Sequence, residues 1–350
     1  MNQLPYPTWA TRVARIVAFG ATLTFLPLSP GQSSGNPLTG PTQGFAYDAP
    51  SMGLHQVLGS FGSARLGPAL VRNLNFGTVA PQHSYGIGCS AEQCSLILGI
   101  GSEQIQQTTI SDQLGIPEAA VWSADGRIVV LYSRSEQWVR VLRGLPEAAE
   151  AGPQWSVWSL GTLSAVAIRP DGGNIVMSIT GEHPGVFEIT ATGNFVPLHE
   201  AVNPVALVFS AAGDTLYVLD AGAHTIAEIH MRDGLGQSWP IAAVQDPIGI
   251  QLGQDSAGRS VVYVAGRGDR MLFAYDSTSH QLLEQIPLSF APSQMEPSGS
   301  GSFLLTSRTN ADELLWSFTA GRGAFFVPVT PAESGLTGET NELPQRKVRR

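Results

Sequence analysis

The sequence predicts an all-β fold, a β-propeller of six to seven four-stranded blades with seven favoured. Three observations carry this prediction. Only 13% of the 350 residues are charged while Gly (39) and Pro (24) are plentiful, a balance that suits short strands and tight turns rather than long, salt-bridged helices. Five segments repeat one pattern of apolar strand, Ser/Ala/Asp/Gly turn and second apolar strand, which is the sequence form of a hairpin. The turn glycines, Gly126, Gly172, Gly213, Gly258 and Gly301, follow one another at 46, 41, 45 and 43 residues, the period of four-stranded propeller blades.

Taken in chain order, Arg12 and Arg15 precede an apolar run from Ile16 to Leu28, IVAFGATLTFLPL, followed by SPGQSSGNPLTGP. That charged, apolar, polar order predicts a secretory signal peptide over 1–31 and a periplasmic or extracellular location. The run has 13 residues and includes Pro27, short of the roughly 20 that a spanning helix needs. No permanent membrane insertion is therefore expected once the signal is cleaved, although no small-x-small site marks the cut. Residues 32–43 read as a flexible spacer and 44–329 as the propeller. Residues 330–350, rich in Gly, Thr, Glu and Pro, read as a disordered tail.

Within the propeller, GFAYDAP and LHQVLGS (44–60) resemble an outer strand pair with no inner pair before it, completed by residues 61–75 if a seventh blade forms. FGTVAPQHSYGIGCSAEQCSLILGI (76–100) fits an inner hairpin. The regular hairpins occupy 117–133, 163–180, 203–220, 246–265 and 291–307, each followed by a second strand pair such as GVFEIT with FVPLHE or ELLWSFT with AFFVPV. Radial closure of such sheets removes most exposed edges. Trp122, Trp138, Trp155, Trp158, Trp239 and Trp316 recur in strand-like segments, where packing between blades explains them better than a sugar-stacking surface.

The wording NPVALVFSAAGDTLYVLDAGAHTIAEI (203–229), with RPDGGNIVMS (169–178), resembles the NHL and YVTN type of β-propeller repeat found in many exported bacterial proteins. The resemblance covers residues 115–329 and lacks the recurring Gly-His and Trp-Asp pairs of WD40 repeats. It implies the fold. The class includes binding scaffolds, lactonases and other enzymes, so no single activity follows from it.

A formal net charge of −9, with a basic cluster only at Arg346, Lys347, Arg349 and Arg350, argues against nucleic acid as a partner. Cys89 and Cys94, in GIGCSAEQCSL, are expected to form a disulfide in an oxidising compartment; zinc needs more ligands, and His83 does not complete a set. No G-x-S-x-G elbow occurs, and His183, His199, His224, His230 and His280 are scattered without a triad-like signature. GRGDR (266–270) falls in an expected blade turn, where Gly and Asp serve the turn itself.

Loops leading into the first strand of each blade ring one mouth of a propeller's channel. Those entry positions hold Glu118, Ser164, Asn203 and Asp246, oxygen donors suited to a polar ligand or, through Glu118, Asn203 and Asp246, to Ca²⁺. Some metal-dependent lactonases of propeller fold carry a Glu, Asn and Asp set near the axis, but the match is one of residue type. Asn203-Pro204 and Asp246-Pro247 also initiate turns. The sequence thus points to an exported, non-catalytic scaffold without a cofactor that binds a protein or small ligand at its loop surfaces. A Ca-dependent axial hydrolase or lactonase is the alternative.

Overall fold

The computed structural model describes residues 41–329 apart from Glu103, 112–114, Ala242, Ser300 and Thr309. The expected signal peptide and tail lie outside the described residues. Blade 1 comprises β1 (Thr42–Asp48), β2 (Gly53–Leu58) and β3 (Arg65–Val71), with a 3-10 turn at Ala49–Ser51. Blade 2 comprises β4 (Phe76–Val79), β5 (Tyr85–Cys89), β6 (Cys94–Leu98) and β7 (Gln106–Ser111), and blade 3 comprises β8 (Ala119–Trp122), β9 (Val129–Ser133), β10 (Trp138–Arg143) and β11 (Glu150–Ser156). Blade 4 holds β12 (Thr162–Ile168), β13 (Ile175–Thr180), β14 (Gly185–Ile189) and β15 (Phe195–Glu200); blade 5 holds β16 (Pro204–Phe209), β17 (Thr215–Asp220), β18 (Thr225–His230) and β19 (Gly236–Pro240). Blade 6 is β20 (Pro247–Gln254), β21 (Ser260–Gly266), β22 (Met271–Asp276) and β23 (Leu282–Pro287), and blade 7 is β24 (Glu296–Gly299), β25 (Ser302–Leu304), β26 (Leu315–Thr319) and β27 (Gly323–Val327). Every sheet is an antiparallel meander in chain order.

Local chemistry explains the repeats. The five turn glycines adopt φ between 66° and 78°, a left-handed conformation that costs glycine little. At Gly126 a side chain also has no room, because a Cβ would lie 2.4 Å from Gln82 Oε1. Second strands such as VVLYS in β9 are buried along their whole length, since a blade is covered on both faces and its middle strands read as continuous apolar runs. Fourth strands such as β23 are largely exposed. Seven apolar clusters result, one between each pair of neighbouring blades.

First strands of neighbouring blades meet around the axis. Trp122 Nε1 donates to Thr78 Oγ1 (2.9 Å), Ser164 Oγ to the Pro204 carbonyl (2.6 Å) and Gln251 Nε2 to the Met295 carbonyl (3.1 Å). In a four-stranded meander, the entry loops and the turns between second and third strands lie at one end of the blade. We call that end the entry face.

Blade 1 departs from the pattern. Phe45, near the start of β1, meets the His83 ring in the far-face turn of blade 2 (5.1 Å), whereas Tyr47, near its end, donates to Leu74 O in the entry loop (2.8 Å). β1 therefore runs opposite to the other six inner strands, and β1–β3 run in the sense of strands two to four. This refines the expected outer pair at 44–60: β1 and β2 are the inner two strands of a three-stranded sheet, and residues 61–75 supply β3. Its outer edge is met by the chain's far end, through the parallel bridge Leu66↔Val329 and a 2.8 Å bond from the Leu66 amide to the Pro328 carbonyl. The two clusters flanking this short sheet are the smallest.

Cys89 and Cys94 are directly paired across the β5–β6 hairpin, joined by a disulfide, and buried in the cluster between blades 2 and 3. The loop they close is short, so reduction is expected to lower stability by only about 2 kcal/mol on the loop-entropy model. Thermal unfolding with and without reductant measures it.

Candidate functional site at the axial mouth

The entry face gathers the four expected site residues, and the structure shows what each is already doing. Glu118 Oε1 accepts from Ser133 Oγ (3.0 Å), the Ser135 amide (2.9 Å) and Ser135 Oγ, and its Oε2 accepts from the Arg134 amide (3.2 Å). Burial alone raises its pKa, but these hydrogen bonds from Ser135, Ser133 and Arg134 outweigh burial and hold the carboxyl below the usual range. The carboxylate is thus committed to the β9–β10 turn of its own blade. Asp246, exposed, pairs with Arg267 (Nε–Oδ2 2.6 Å). Ser164 bridges blades 4 and 5 through the Pro204 carbonyl and lies 2.7 Å from Ser178 Oγ. Asn203 is exposed, and its amide donates to Asp220 Oδ1 (2.9 Å).

One device recurs: an acidic side chain ties a blade's entry loop to its second turn. In blade 5 the roles of blade 3 are reversed, with Asp220 at the end of β17 accepting from the amides of Val202, Asn203, Gly222 and Ala223. Burial opposes the charge, and these four backbone donors overcome it, keeping the Asp220 pKa low. In blade 6 Asp269 accepts from the Gln245 amide (3.1 Å). The GRGDR segment is therefore the β21–β22 turn, with Arg267 and Asp269 both engaged by the entry loop. Among the described residues, no group of three or more His, Cys, Asp or Glu side chains is arranged to hold a metal ion.

The centre of the mouth is formed by residues the sequence reading did not single out. Glu296, at the start of β24, is reachable by solvent, yet desolvation raises its pKa, with the charge of Arg134 partly offsetting the rise. Tyr132, nearly buried at the end of β9, has its phenol pushed up to about 12, first by burial, with Arg134 lowering it and Glu296 and Glu118 raising it. Blades 3 and 7 thus feel each other's charge across the axis. The mouth offers the half-exposed Arg134 guanidinium, which donates hydrogen bonds, and the exposed Glu296 carboxyl. Such a set suits a small polar or anionic ligand group.

Glu296 predicts a pH dependence. Its raised pKa means that ionisation costs folding free energy, so stability is fully present below the ordinary Glu range and falls as pH rises through the raised value. Glu296→Gln is expected to raise the melting temperature at pH 7 and to leave it unchanged in acid. Melting curves at the two pH values check this.

No family model matches the chain, and no curated protein matches it. Among solved structures, a functionally unknown protein from Desulfotomaculum acetoxidans is similar over 83% of this chain and 100% of its own, at 13% identity and a TM-score of 0.60. Virginiamycin B lyase from Staphylococcus aureus is similar over 83% of this chain and 94% of its own, at 12% identity and a TM-score of 0.53. A streptogramin B lyase is similar over 75% and 85%, at 11% and 0.52. The fold shared with these structures is a β-propeller. Likeness at this identity carries the architecture and not the chemistry.

The propeller carries exposed apolar side chains on this face. Met52, Ile116, Trp158, Val202 and Leu314, half of the large exposed apolar residues described, all lie in entry-face loops. Trp158, 66% exposed, corrects the expectation that the tryptophans pack between blades. Trp138 and Trp239 do so, while Trp158 sits in the loop between β11 and β12. His280, at the far face, pairs with buried Glu228 (2.9 Å) and stacks on Trp239, a structural use. Among the described residues no helix is long and apolar enough to cross a membrane.

Proposed function

We propose that this propeller is a binding scaffold that presents its entry face to a protein partner or small ligand, the loops and axial mouth of that face serving non-catalytic binding. The observation that carries the reading is the exposure of Met52, Ile116, Trp158, Val202 and Leu314 in loops of one face. Exposed aromatic and aliphatic side chains on one face are of the kinds enriched in interface cores. The propeller scaffold gives such loops a rigid base. The Arg134 guanidinium at the mouth supplies an orienting polar contact.

The reading includes export, supported by the charged and apolar order of the first thirty residues and by the disulfide. Crosslinking in the native cell envelope, followed by mass spectrometry, tests the scaffold. Crosslinks are expected from entry-face loops, and Trp158→Ser should weaken capture of the same partner by at least about tenfold, as loss of an interface anchor does. Crosslinks confined to the outer strands, with unchanged capture by the variant, overturn the reading. An intact mass retaining the first thirty or so residues overturns the cleaved signal.

A further inference from the structure

A second cluster lies at the tip of the β1–β2 hairpin. Asp48 caps the Ala49–Ser51 turn, its Oδ2 accepting from the Ser51 amide (3.2 Å) and from Ser51 Oγ (2.5 Å). On its other side Ser51 Oγ lies 2.8 Å from Nε2 of His55, whose Nδ1 lies 2.8 Å from the Gly67 carbonyl oxygen. The tautomer follows from the partners. A carbonyl only accepts, so Nδ1 carries a hydrogen, and in the neutral imidazole the Nε2 lone pair faces the hydroxyl.

The surroundings are shaped for this arrangement. Gly67 and Pro68 fall between the register pairs Val57↔Leu66 and His55↔Ala69, a bulge that releases the Gly67 carbonyl from the ladder at a residue pair where proline has no amide to give. Gly53 makes the room, since a Cβ there would lie 2.8 Å from His55 Nε2 and 3.2 Å from Ser51 Oγ. Asp48 Oδ1 is held by Arg308 Nη1 (2.9 Å). His55 is buried, while Ser51 is half-buried beside the exposed Met52.

Capping accounts for Asp48 and the Ser51 amide. It leaves unexplained a buried imidazole fixed through one nitrogen by a main-chain carbonyl and aimed through the other at a hydroxyl. A serine held against the lone pair of an oriented histidine is the arrangement that activates it as a nucleophile. Its one proton has three acceptors in reach, Nε2 (2.8 Å), Asp48 Oδ2 (2.5 Å) and the Asp48 carbonyl oxygen (3.2 Å).

We propose that Ser51 is an activated nucleophile, with His55 as its general base, that accepts an acyl group from a carboxylic ester. Ser51 Oγ bonds to the ester carbonyl carbon and its proton passes to His55 Nε2. The bond to the leaving oxygen breaks, Nε2 returns the proton to that oxygen, and an alcohol departs from acyl-Ser51. Water then attacks the acyl carbon and gives a proton to Nε2. Oγ takes the proton back as the carboxylic acid leaves. This chemistry goes beyond the scaffold reading and does not rest on it.

The test is reaction of the full chain with an alkyl fluorophosphonate, mapped by peptide mass spectrometry. One adduct is expected on Ser51, absent in Ser51→Ala, and forming at least about a hundredfold faster than on the exposed neighbours Ser60 and Ser63, the scale of general-base assistance. His55→Gln, checked for its melting temperature, should erase that preference. Because the internal serines serve as controls, the folded wild-type protein decides the matter even if the variant unfolds. No adduct at Ser51, or labelling no faster than at Ser60 and Ser63, overturns the proposal.

Discussion

Replacing Arg308 by alanine is expected to cost about 3–5 kcal/mol, because it strands a carboxylate in a dry site. Asp48 and Arg308 are both buried, their side chains 4% and 8% exposed, and pair at 2.9 Å. Arg308 also donates to the Glu313 carbonyl (2.9 Å) and the Ala311 carbonyl (3.2 Å), so it holds its own loop as well as Asp48. The pair spans blades 7 and 1, where the apolar cluster is small. A double replacement, Asp48→Leu with Arg308→Met, is expected to recover much of the loss, since apolar side chains substitute well for a buried ion pair. Urea unfolding of the three proteins measures it. A loss below about 1 kcal/mol in Arg308→Ala would show that the pair is solvated in solution.

The second large effect is expected at Gly44, in the same seam. A Cβ on Gly44 would lie 1.8 Å from the carbonyl oxygen of Ser298 and 2.7 Å from its carbon. Backbone of a neighbouring strand cannot step aside as a flexible side chain does, so β1 and β24 must separate. Gly44→Ala is expected to cost more than about 3 kcal/mol, above the usual range for overpacking. Gly77 in β4 is the control, because its nearest neighbours would be 3.5 Å away. Gly77→Ala should therefore stay within about 1 kcal/mol of the parent. Equal losses in the two variants would refute the close approach of β1 to β24.

The hairpins were legible in the sequence because their determinants are local. A glycine with positive φ, an Asp or Ser beside it and apolar strands on either side define each turn within a dozen residues. The Cys89–Cys94 disulfide was legible for the same reason. The entry positions were found by alignment of those repeats, but their commitments were not, since hydrogen bonds from Ser135 and Arg134 decide what Glu118 can do. Glu296 was hidden for a different reason. Its interest comes from Arg134 and Tyr132, more than 160 residues earlier, and only ring closure brings blades 3 and 7 within reach of each other's charge. The sense of β1 was equally hidden, since one apolar strand reads the same in either direction. Ser51 and His55 stand four residues apart, a spacing with no signature; a bulge at Gly67 gives them their relation.

The noncovalent seam between blades 1 and 7 also sets a schedule for synthesis. Blade 1 leaves the ribosome early, yet Asp48 waits for Arg308 and Leu66 waits for Pro328 and Val329. At a translation rate of about 5–20 residues per second, that interval is on the order of ten to fifty seconds. During it the apolar face of β1–β3 lacks its cover, so a nascent chain stalled before residue 308 should be the most aggregation-prone species this protein produces.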